Sequence, residues 1–285
     1  MVGPVARVGA RMSRFLDDMA RSSAERVLEA KQALPQAQLE RRALEAPRGA
    51  PLRLSPRGFD VIAELKLRSP AAGVLGGETD DWSGRVAAYA RGGAVAVSVL
   101  TEPSRFDGSL EHLRRAAAVL RPLRVPVMRK DFLVDPYQVF EARAAGAGGV
   151  LVILRMLHPP RIIALLDSAA DLGMFVLLEA FDAADLELAR ELVANRRQTE
   201  CILIGINSRD LQTLKVVPER FSLLAPLLPR TGHCVAESGV ATPADARSMR
   251  LLGYRVALIG TALMGADDPA ALLAAILEAA RTVQL

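Results

Sequence analysis

Acidic, basic and amide side chains recur in this 285-residue chain at the points where short aliphatic runs end. Ammonium groups donate protons and carboxylates accept them, so such residues can perform general acid and base catalysis when they lie together. One charged residue after an aliphatic run is ordinary for a loop, but six runs of eight ending in polar groups indicate a shared site. The candidates for the chemistry are Glu64, Lys66, Lys130, Glu179, Asn207 and Glu237.

The elements that must position these residues recur along the chain. Eight β-branched or aliphatic runs begin 23 to 33 residues apart, at 61–65, 94–99, 125–129, 150–153, 175–178, 201–206, 233–236 and 256–259. Helical patterns occupy most of the gaps, at 107–119, 136–145, 159–172, 182–193 and 242–252, and a last one lies at 269–282. Eight consecutive βα units predict an α/β protein with a closed (β/α)8 barrel, or TIM barrel. No GxGxxG motif follows the first run to favour a dinucleotide-binding fold.

The ends of these strands predict where the site lies. Barrel enzymes carry their chemistry at the C-terminal ends of the strands. Because side chains alternate along a strand, Glu64 and Lys66 share one face, as do Asn207 and Arg209. Charges at such positions are poorly hydrated and need partners, so we expect them to contact one another or a ligand.

Small residues follow the last two strands. Ser238-Gly239 and Gly260-Thr261 lack bulky side chains, and each precedes a predicted helix. Backbone N–H groups can therefore approach an anion closely there, and a helix N-terminus adds favourable partial charge. The loops after the seventh and eighth strands commonly hold phosphate in this fold. These observations predict a phosphorylated substrate.

The segment ahead of the first strand forms an N-terminal extension. Residues 1–11 lack an apolar period and are predicted to be a loose tail, whereas 12–58 are predicted to form a helix at 12–32 and a connector rich in Pro and Arg. The helix is indicated by apolar residues at roughly helical spacing. The barrel is predicted to follow at 59–285 and to form one domain with the extension. Those apolar residues are Phe15, Leu16, Met19, Val27 and Leu28.

Composition and charge exclude several classes of protein. Apolar residues make up 51% of the chain and aromatics 4%, which suits buried parallel strands. The net charge of +4 comes largely from arginines scattered along helical segments, so we expect no nucleic-acid partner. No apolar run reaches the roughly 18 residues of a membrane helix, and no signal peptide is indicated. We expect a cytoplasmic protein without an obligate protein partner or a metal site, in which Cys201 and Cys234 open strands as buried, reduced thiols.

Several motifs, one in most βα units, together resemble the indole-3-glycerol-phosphate synthase family. They lie in order between the first strand and the end of the eighth unit, and agreement at that density is not expected by chance. The matching segments are 62–70 (IAELKLRSP), 98–102 (SVLTE), 106–109 (FDGS), 126–132 (PVMRKDF), 137–138 (YQ), 141–143 (EAR), 205–211 (GINSRDL) and 237–239 (ESG).

The resemblance implies ring closure of 1-(2-carboxyphenylamino)-1-deoxyribulose 5-phosphate with release of carbon dioxide and water, and it implies no metal or organic cofactor. Lys130 is then the general acid, Lys66 the partner of the substrate carboxylate, and Glu179 the general base. Glu64 is expected to hold both lysines. The resemblance places Asn207, Arg209 and Glu237 around the sugar and the reacting centre, Phe106 and Phe132 beside the substrate, and Ser69, Ser238, Gly239, Gly260 and Thr261 around its phosphate.

The chain departs from the family pattern at three places. Residues 146–149 (GAGG) lack the usual Ala-Asp pair, and Phe181 stands where a His is common. Ala71 stands after Pro70 where Ser or Lys is frequent, which weakens the expected phosphate contacts. None of these positions is assigned to catalysis, so the departures indicate divergence of sequence more than loss of function.

Two other functions fit a phosphate-binding barrel. A sugar-phosphate isomerase would need an Asp or Cys acid–base pair at the strand ends, where this chain has lysines and glutamates. A non-catalytic barrel that only binds a ligand would not need every matched catalytic position filled. An assay of substrate loss and gain of indole fluorescence distinguishes all three functions.

Overall fold

A computed structural model describes residues 14–69, 73–75, 82–194, 196–197, 200–229 and 233–283. The segment 1–11, predicted to be a loose tail, lies outside the described residues. So do residues 12–13 at the start of the predicted N-terminal helix, and residues 70–72 of the first loop.

Eight parallel strands close into a barrel, as predicted. Closure is made by the first strand, which pairs with the second and also with the eighth, where Asp60 lies opposite Val256. The strands are β1 (Asp60–Leu65), β2 (Ala96–Leu100), β3 (Val127–Lys130), β4 (Gly149–Ile153), β5 (Phe175–Ala180), β6 (Ile202–Asn207), β7 (His233–Glu237) and β8 (Val256–Ile259).

Alternation of side chains separates the core into two layers. On β1, Val61, Ala63 and Leu65 pack against the surrounding helices, whereas Ile62 lies in the barrel interior. The interior is filled by Ile62, Met128, Leu151, Leu177, Leu203, Val235 and Leu258. The next inward positions along these strands, two residues further on, lie at the C-terminal end of the barrel, where the candidate residues begin.

Helices surround the barrel, and the five predicted between strands lie within three residues of their expected bounds. The described helices are α1 (Arg14–Ala33), α2 (Gln36–Glu45), α3 (Trp82–Arg91), α4 (Pro103–Phe106), α5 (Leu110–Leu120), α6 (Tyr137–Ala144), α7 (Pro159–Asp171), α8 (Ala183–Ala194), α9 (Glu219–Leu224), α10 (Pro243–Leu251), α11 (Thr261–Met264) and α12 (Pro269–Arg281), with 3₁₀ turns at Leu154–Met156 and Ala225–Leu227. No helix of the described residues is long and apolar enough to span a membrane.

The N-terminal extension contains more helix than the sequence indicates. Helix α2 lies within the segment predicted to be a connector and packs on α6. Leu16 and Met19 of α1 are buried as expected, but Leu28 is 63% exposed, so its assignment to the apolar face was wrong. It lies one residue after Val27, which already occupies the buried face.

The two cysteines differ in their surroundings. Cys234, the second residue of β7, is buried, and both thiols are free. Cys201 is half-buried and lies one residue before β6, so the prediction of two buried thiols opening strands is wrong for Cys201.

Candidate active site

Lysines and glutamates from four strands meet at the C-terminal end of the barrel. The Lys130 Nζ atom, at the end of β3, lies 3.2 Å from Glu64 Oε2, 3.4 Å from Glu237 Oε2 and 4.0 Å from Glu179 Oε2. Lys66 Nζ donates a 2.9 Å hydrogen bond to Glu64 Oε1. The carboxylate of Glu64 therefore contacts both lysines.

The charges of this cluster shift the pKa values of its members. Burial raises the pKa of the Glu64 carboxyl, but the ammonium groups of Lys66 and Lys130 outweigh burial and lower it to about 2. Burial disfavours the charge of Lys130, yet the carboxylates of Glu64, Glu237 and Glu179 raise its pKa above the ordinary value. The cluster thus keeps Glu64 ionised and Lys130 charged through neutral pH.

Glu237 is the member with the opposite shift. It is fully buried, and burial together with the negative charge of Glu179 raises its pKa well above the ordinary value. Its Oε1 atom has no hydrogen-bond partner among the described residues. Both effects favour the protonated form of Glu237, whose Oε2 atom contacts Lys130.

Two glycines leave the space that these carboxylates occupy. A Cβ atom at Gly205 would lie 1.9 Å from Glu237 Oε1, and one at Gly260 would lie 2.4 Å from Glu64 Oε1. Gly260 has a φ of −117°, which other residues adopt readily, so space is the reason for glycine there. Gly260, predicted to contact phosphate, thus also accommodates the Glu64 carboxylate.

A cavity of about 450 Å³ lies above this cluster. Thirteen of the fourteen residues predicted for the site line it, and the exception is Glu237, which does not reach the cavity. The predicted residues in the lining are Glu64, Lys66, Ser69, Phe106, Lys130, Phe132, Glu179, Asn207, Arg209, Ser238, Gly239, Gly260 and Thr261.

One wall of the cavity is aromatic. The ring of Phe132 lies 5.8 Å from that of Phe15 at an angle of 75° and 6.2 Å from that of Phe106 at 40°. Phe15 belongs to α1 and was predicted only as an apolar position of that helix. Its place in the cavity is set by packing between distant segments, which the periodicity of one helix does not reveal.

The loop after β7 has an unusual backbone. Ser238 has a φ of +65° and Gly239 one of +90°, and the Ser208 hydroxyl donates a 2.6 Å hydrogen bond to the Ser238 carbonyl. A non-glycine residue in this region costs about 1–3 kcal/mol, and such strain occurs often at ligand sites. Among the described residues, no acceptor is bonded to the N–H groups of Gly239 and Val240, which leaves them available to an anion.

Both loops lead into helices, as predicted, but the N-termini of these helices are not equally open to an anion. Helix α11 begins at Thr261, directly after Gly260, but it has only four residues. Helix α10 begins at Pro243, and the side chain of its own Asp245 accepts hydrogen bonds from the N–H groups of Ala241 and Thr242. An anion at the β7 loop would therefore contact loop amides and not the end of α10.

The end of β6 and the loop that follows it hold the remaining predicted residues, Asn207 and Arg209. The backbone N–H of Arg209 donates to Asn207 Oδ1 at 2.9 Å, and its guanidinium donates to the Leu214 carbonyl at 2.7 Å. Arg220 donates to the Asn207 carbonyl at 2.6 Å. Leu214 and Val216 of this loop also line the cavity and were not predicted, because nothing in their spacing marks them.

Phe181, where the family commonly has a His, is buried and does not line the cavity. The Arg155 guanidinium lies 4.5 Å from its ring centroid and forms ion pairs with Asp182 and Asp185. The side chain at this position therefore supports the loop after Glu179.

Solved structures of low sequence identity share the fold. The 3-hexulose-6-phosphate synthase of Salmonella typhimurium superposes with a TM-score of 0.59 at 13% identity, covering 78% of this chain and 98% of that one. Thiamine phosphate pyrophosphorylase from Pyrococcus furiosus gives a TM-score of 0.56 at 15% identity, covering 79% and 98%. These likenesses concern the fold alone.

Sequence relatives are more specific. The family model for indole-3-glycerol phosphate synthase matches residues 16–276. The indole-3-glycerol phosphate synthase of Parafrankia sp. (strain EAN1pec) is 44% identical over 223 residues, which cover 78% of this chain and 79% of that protein. The protein of the same name from Dehalococcoides mccartyi (strain CBDB1) is 39% identical over 246 residues, covering 85% and 91%. The resemblance predicted from the motifs is confirmed, and this chain belongs to the indole-3-glycerol phosphate synthase family.

Proposed function

We propose that the chain converts 1-(2-carboxyphenylamino)-1-deoxyribulose 5-phosphate to indole-3-glycerol phosphate, carbon dioxide and water. Membership of the family supports this reaction. The observation that carries it is the Lys130 ammonium group, which contacts three carboxylates and lines a cavity of about 450 Å³. Such a group can donate a proton and offset negative charge that develops on a substrate oxygen.

Binding uses the two sides of the cavity. The substrate phosphate contacts the N–H groups of the loop at Ser238-Gly239 and the small residues at Gly260-Thr261, with Ser69 nearby. Backbone N–H groups without partners favour an anion there. The substrate carboxylate pairs with Lys66, and the aromatic ring lies against Phe106 and Phe132.

Ring closure is the step assigned to Lys130. The ring carbon that bears the carboxylate attacks the ketone carbon, and the electron pair of the C=O bond moves to oxygen. Lys130 delivers its proton to that oxygen, so that an alcohol forms. The raised pKa of Lys130 keeps the ammonium charged before the transfer, and the iminium formed at nitrogen provides the electron sink for the next step.

Loss of carbon dioxide and water completes the reaction. The bond to the carboxylate breaks, its electron pair returns to the ring system, and carbon dioxide leaves. Lys66 then protonates the departing hydroxyl, which leaves as water. Glu179 accepts the proton whose removal from the former methylene carbon makes the new ring aromatic.

The other members of the cluster act on these groups. Glu64, 2.9 Å from Lys66 and 3.2 Å from Lys130, keeps both lysines charged and oriented. Glu237 does not reach the cavity, so it acts through Lys130, whereas Asn207 at the end of β6 and Arg209 in the loop after it contact the sugar.

Steady-state kinetics of Lys130→Met tests the proposal, because methionine removes the proton donor and keeps most of the volume. Turnover should fall by about two to four orders of magnitude, the usual contribution of a positioned acid. Binding of a reduced, non-cyclising substrate analogue should change much less, and Lys130→Arg should not restore turnover, because a guanidinium retains its proton. If the methionine variant kept more than about a tenth of wild-type turnover, the acid would be another group, with Lys66 the next candidate.

The product separates this proposal from its alternatives. Ring closure releases carbon dioxide and creates an indole, whose fluorescence the substrate lacks. An isomerase would consume a sugar phosphate without releasing carbon dioxide, and a binding protein would leave every ligand unchanged. Absence of both signals with pure substrate would refute the proposed reaction.

A further inference from the structure

The residue after Lys130 is tied to the N-terminal helix. Asp131 has a fully buried side chain and accepts five hydrogen bonds. Its Oδ1 atom accepts from Arg26 Nη2 and from the Phe132 N–H, both at 2.9 Å. Its Oδ2 atom accepts from Thr101 Oγ1 at 2.8 Å, Arg129 Nη2 at 3.0 Å and Arg26 Nη1 at 3.1 Å. Each oxygen of the carboxylate is therefore fixed from more than one side.

Arg26 is the member of this network that lies outside the barrel. It belongs to α1, and its two Nη atoms bind the Asp131 carboxylate side by side. Three residues earlier, the Ser23 hydroxyl donates to the Phe132 carbonyl at 2.5 Å and accepts from Gln138 Nε2 at 2.9 Å. Helix α1 thus contacts both residues that follow Lys130.

The arrangement fixes the backbone that carries Lys130. Side chains alternate at the end of β3, so Arg129 and Asp131 lie on the opposite side of the strand from Lys130. Arg129 is held in turn by the Gln138 carbonyl at 2.9 Å and by Glu141 at 3.0 Å. The neighbours on either side of Lys130 therefore belong to one buried network, and Arg26 joins that network to α1.

The charges of Asp131 and its two arginine partners also bind this network together. Burial raises the pKa of the Asp131 carboxyl, but the guanidinium groups of Arg129 and Arg26 outweigh burial and lower it below its ordinary value. Asp131 keeps Arg129 and Thr101 as partners when Arg26 is absent, so the loss of Arg26 does not leave a bare buried charge. Arg26 is itself half-buried, with 26% of its side chain exposed.

We infer that Arg26 is a positioning residue for the reaction: through its paired contacts with Asp131 it fixes Lys130 and Phe132 in the cavity. The inference rests on the proposed role of Lys130 as the general acid. Helix α1 is then a working part of the active site, because a misplacement of about 1 Å in a reacting group can lower turnover roughly a hundredfold.

Kinetics of Arg26→Met gives the first part of the test, with Arg21→Met as the matched control. Arg21 lies on the same helix, is 69% exposed and contacts only Asp18 by hydrogen bond or ion pair among the described residues. We expect Arg26→Met to lower kcat about ten- to a hundredfold with a smaller change in KM, and Arg21→Met to change neither. Arg26→Lys should restore turnover only in part, because an ammonium group does not reproduce the paired contact.

A double variant gives the decisive part. If Arg26 acts through Lys130, Arg26→Met should cause no further loss in a Lys130→Met background, whereas a residue that only stabilises the fold would lower both backgrounds equally. Equal losses in the two backgrounds would overturn the inference about Arg26 and leave the proposed role of Lys130 intact. Full activity of Arg26→Met, with low turnover of Lys130→Met, would do the same. Full activity of Lys130→Met would overturn the proposed acid and this inference with it. Should Arg26→Met lose its fold, Arg26→Lys carries the same cycle.

Discussion

Replacing Gly205 with alanine introduces a single methyl group beneath the cavity. The new Cβ would lie 1.9 Å from Glu237 Oε1 and 3.0 Å from Leu177 Cδ1. An ordinary contact begins near 3.4 Å, so the carboxylate oxygen must move by about 1.5 Å. Because Glu237 is fully buried, that movement must change its 3.4 Å contact with Lys130.

The expected effect is larger on catalysis than on stability. Glu237 can rotate its carboxylate aside, so the free energy of unfolding should fall by about 1–3 kcal/mol, as for other overpacked cores. Displacement of a group that contacts Lys130, the proposed general acid, should lower kcat about a hundredfold. KM should change little, because the contacts proposed for the substrate phosphate and carboxylate lie elsewhere in the cavity.

Steady-state kinetics and thermal unfolding measure both quantities, with Gly265→Ala as the control. Gly265 has a φ of −86°, and an added Cβ would meet its nearest neighbour at 3.6 Å. In the double variant Gly205→Ala/Glu237→Asp the acid is one methylene shorter, so part of the stability should return. If Gly205→Ala matched Gly265→Ala in kcat, the position of the Glu237 carboxylate would not matter to the reaction, and the reasoning would be refuted.

Three further predictions concern the phosphate loop, the pH dependence and the extension. Gly239→Asp should raise KM at least tenfold, measured with the phosphorylated substrate, because the added charge repels phosphate and the φ of +90° disfavours a side chain; an unchanged KM would place the phosphate elsewhere. The pKa of Glu64 is lowered from 4.5 to about 2, so its stabilising contribution is complete above pH 4.5 and is lost as pH falls toward 2. The difference in unfolding free energy between wild type and Glu64→Gln should therefore shrink over that window in denaturant titrations, and a constant difference would contradict the assignment. Deleting residues 1–11 should leave kcat unchanged, whereas deleting 1–32 should lower it, since the second deletion removes Ser23 and Arg26; equal activity of the two shortened chains would contradict the predicted boundary.

The sequence was sufficient to predict the barrel because each strand is an aliphatic run with a charged or small residue at its end. Period-two alternation then placed Glu64 and Lys66 on one face, and the structure brings them within 2.9 Å of each other. The strand ends also indicated the cavity residues, because the inward-facing side chains at the C-terminal ends of all eight strands face the same opening of the barrel.

Depth within the barrel was not predictable from the sequence. Glu179 and Glu237 both follow aliphatic runs, yet Glu179 lines the cavity and Glu237 lies below it. The difference depends on Gly205 of the neighbouring strand, which leaves room for the Glu237 carboxylate. Such a contact between strands is set by the register of β6 against β7, and that register cannot be predicted from a single sequence.

The extension was harder to predict for a related reason. Helix α2 has two buried residues, Leu39 and Ala43, which form too short an apolar face to distinguish a helix from a polar connector. Phe15 and Arg26 are ordinary residues of an amphipathic helix until the loop after β3 is placed against them. Their roles depend on contacts with residues far along the chain.

The contacts of α1 also imply an order of events during synthesis. Ser23 and Arg26 bind residues that lie 105 to 115 positions later in the chain, in the loop after β3 and at the start of α6. During translation, α1 therefore leaves the ribosome well before the loop after β3 and the start of α6 have been synthesised. Contacts over such separations form late, because the intervening chain must first be ordered. Helix α1 is consequently without these native neighbours until the chain through Gln138 has been made, and closure of the barrel comes later still, because β1 pairs with β8.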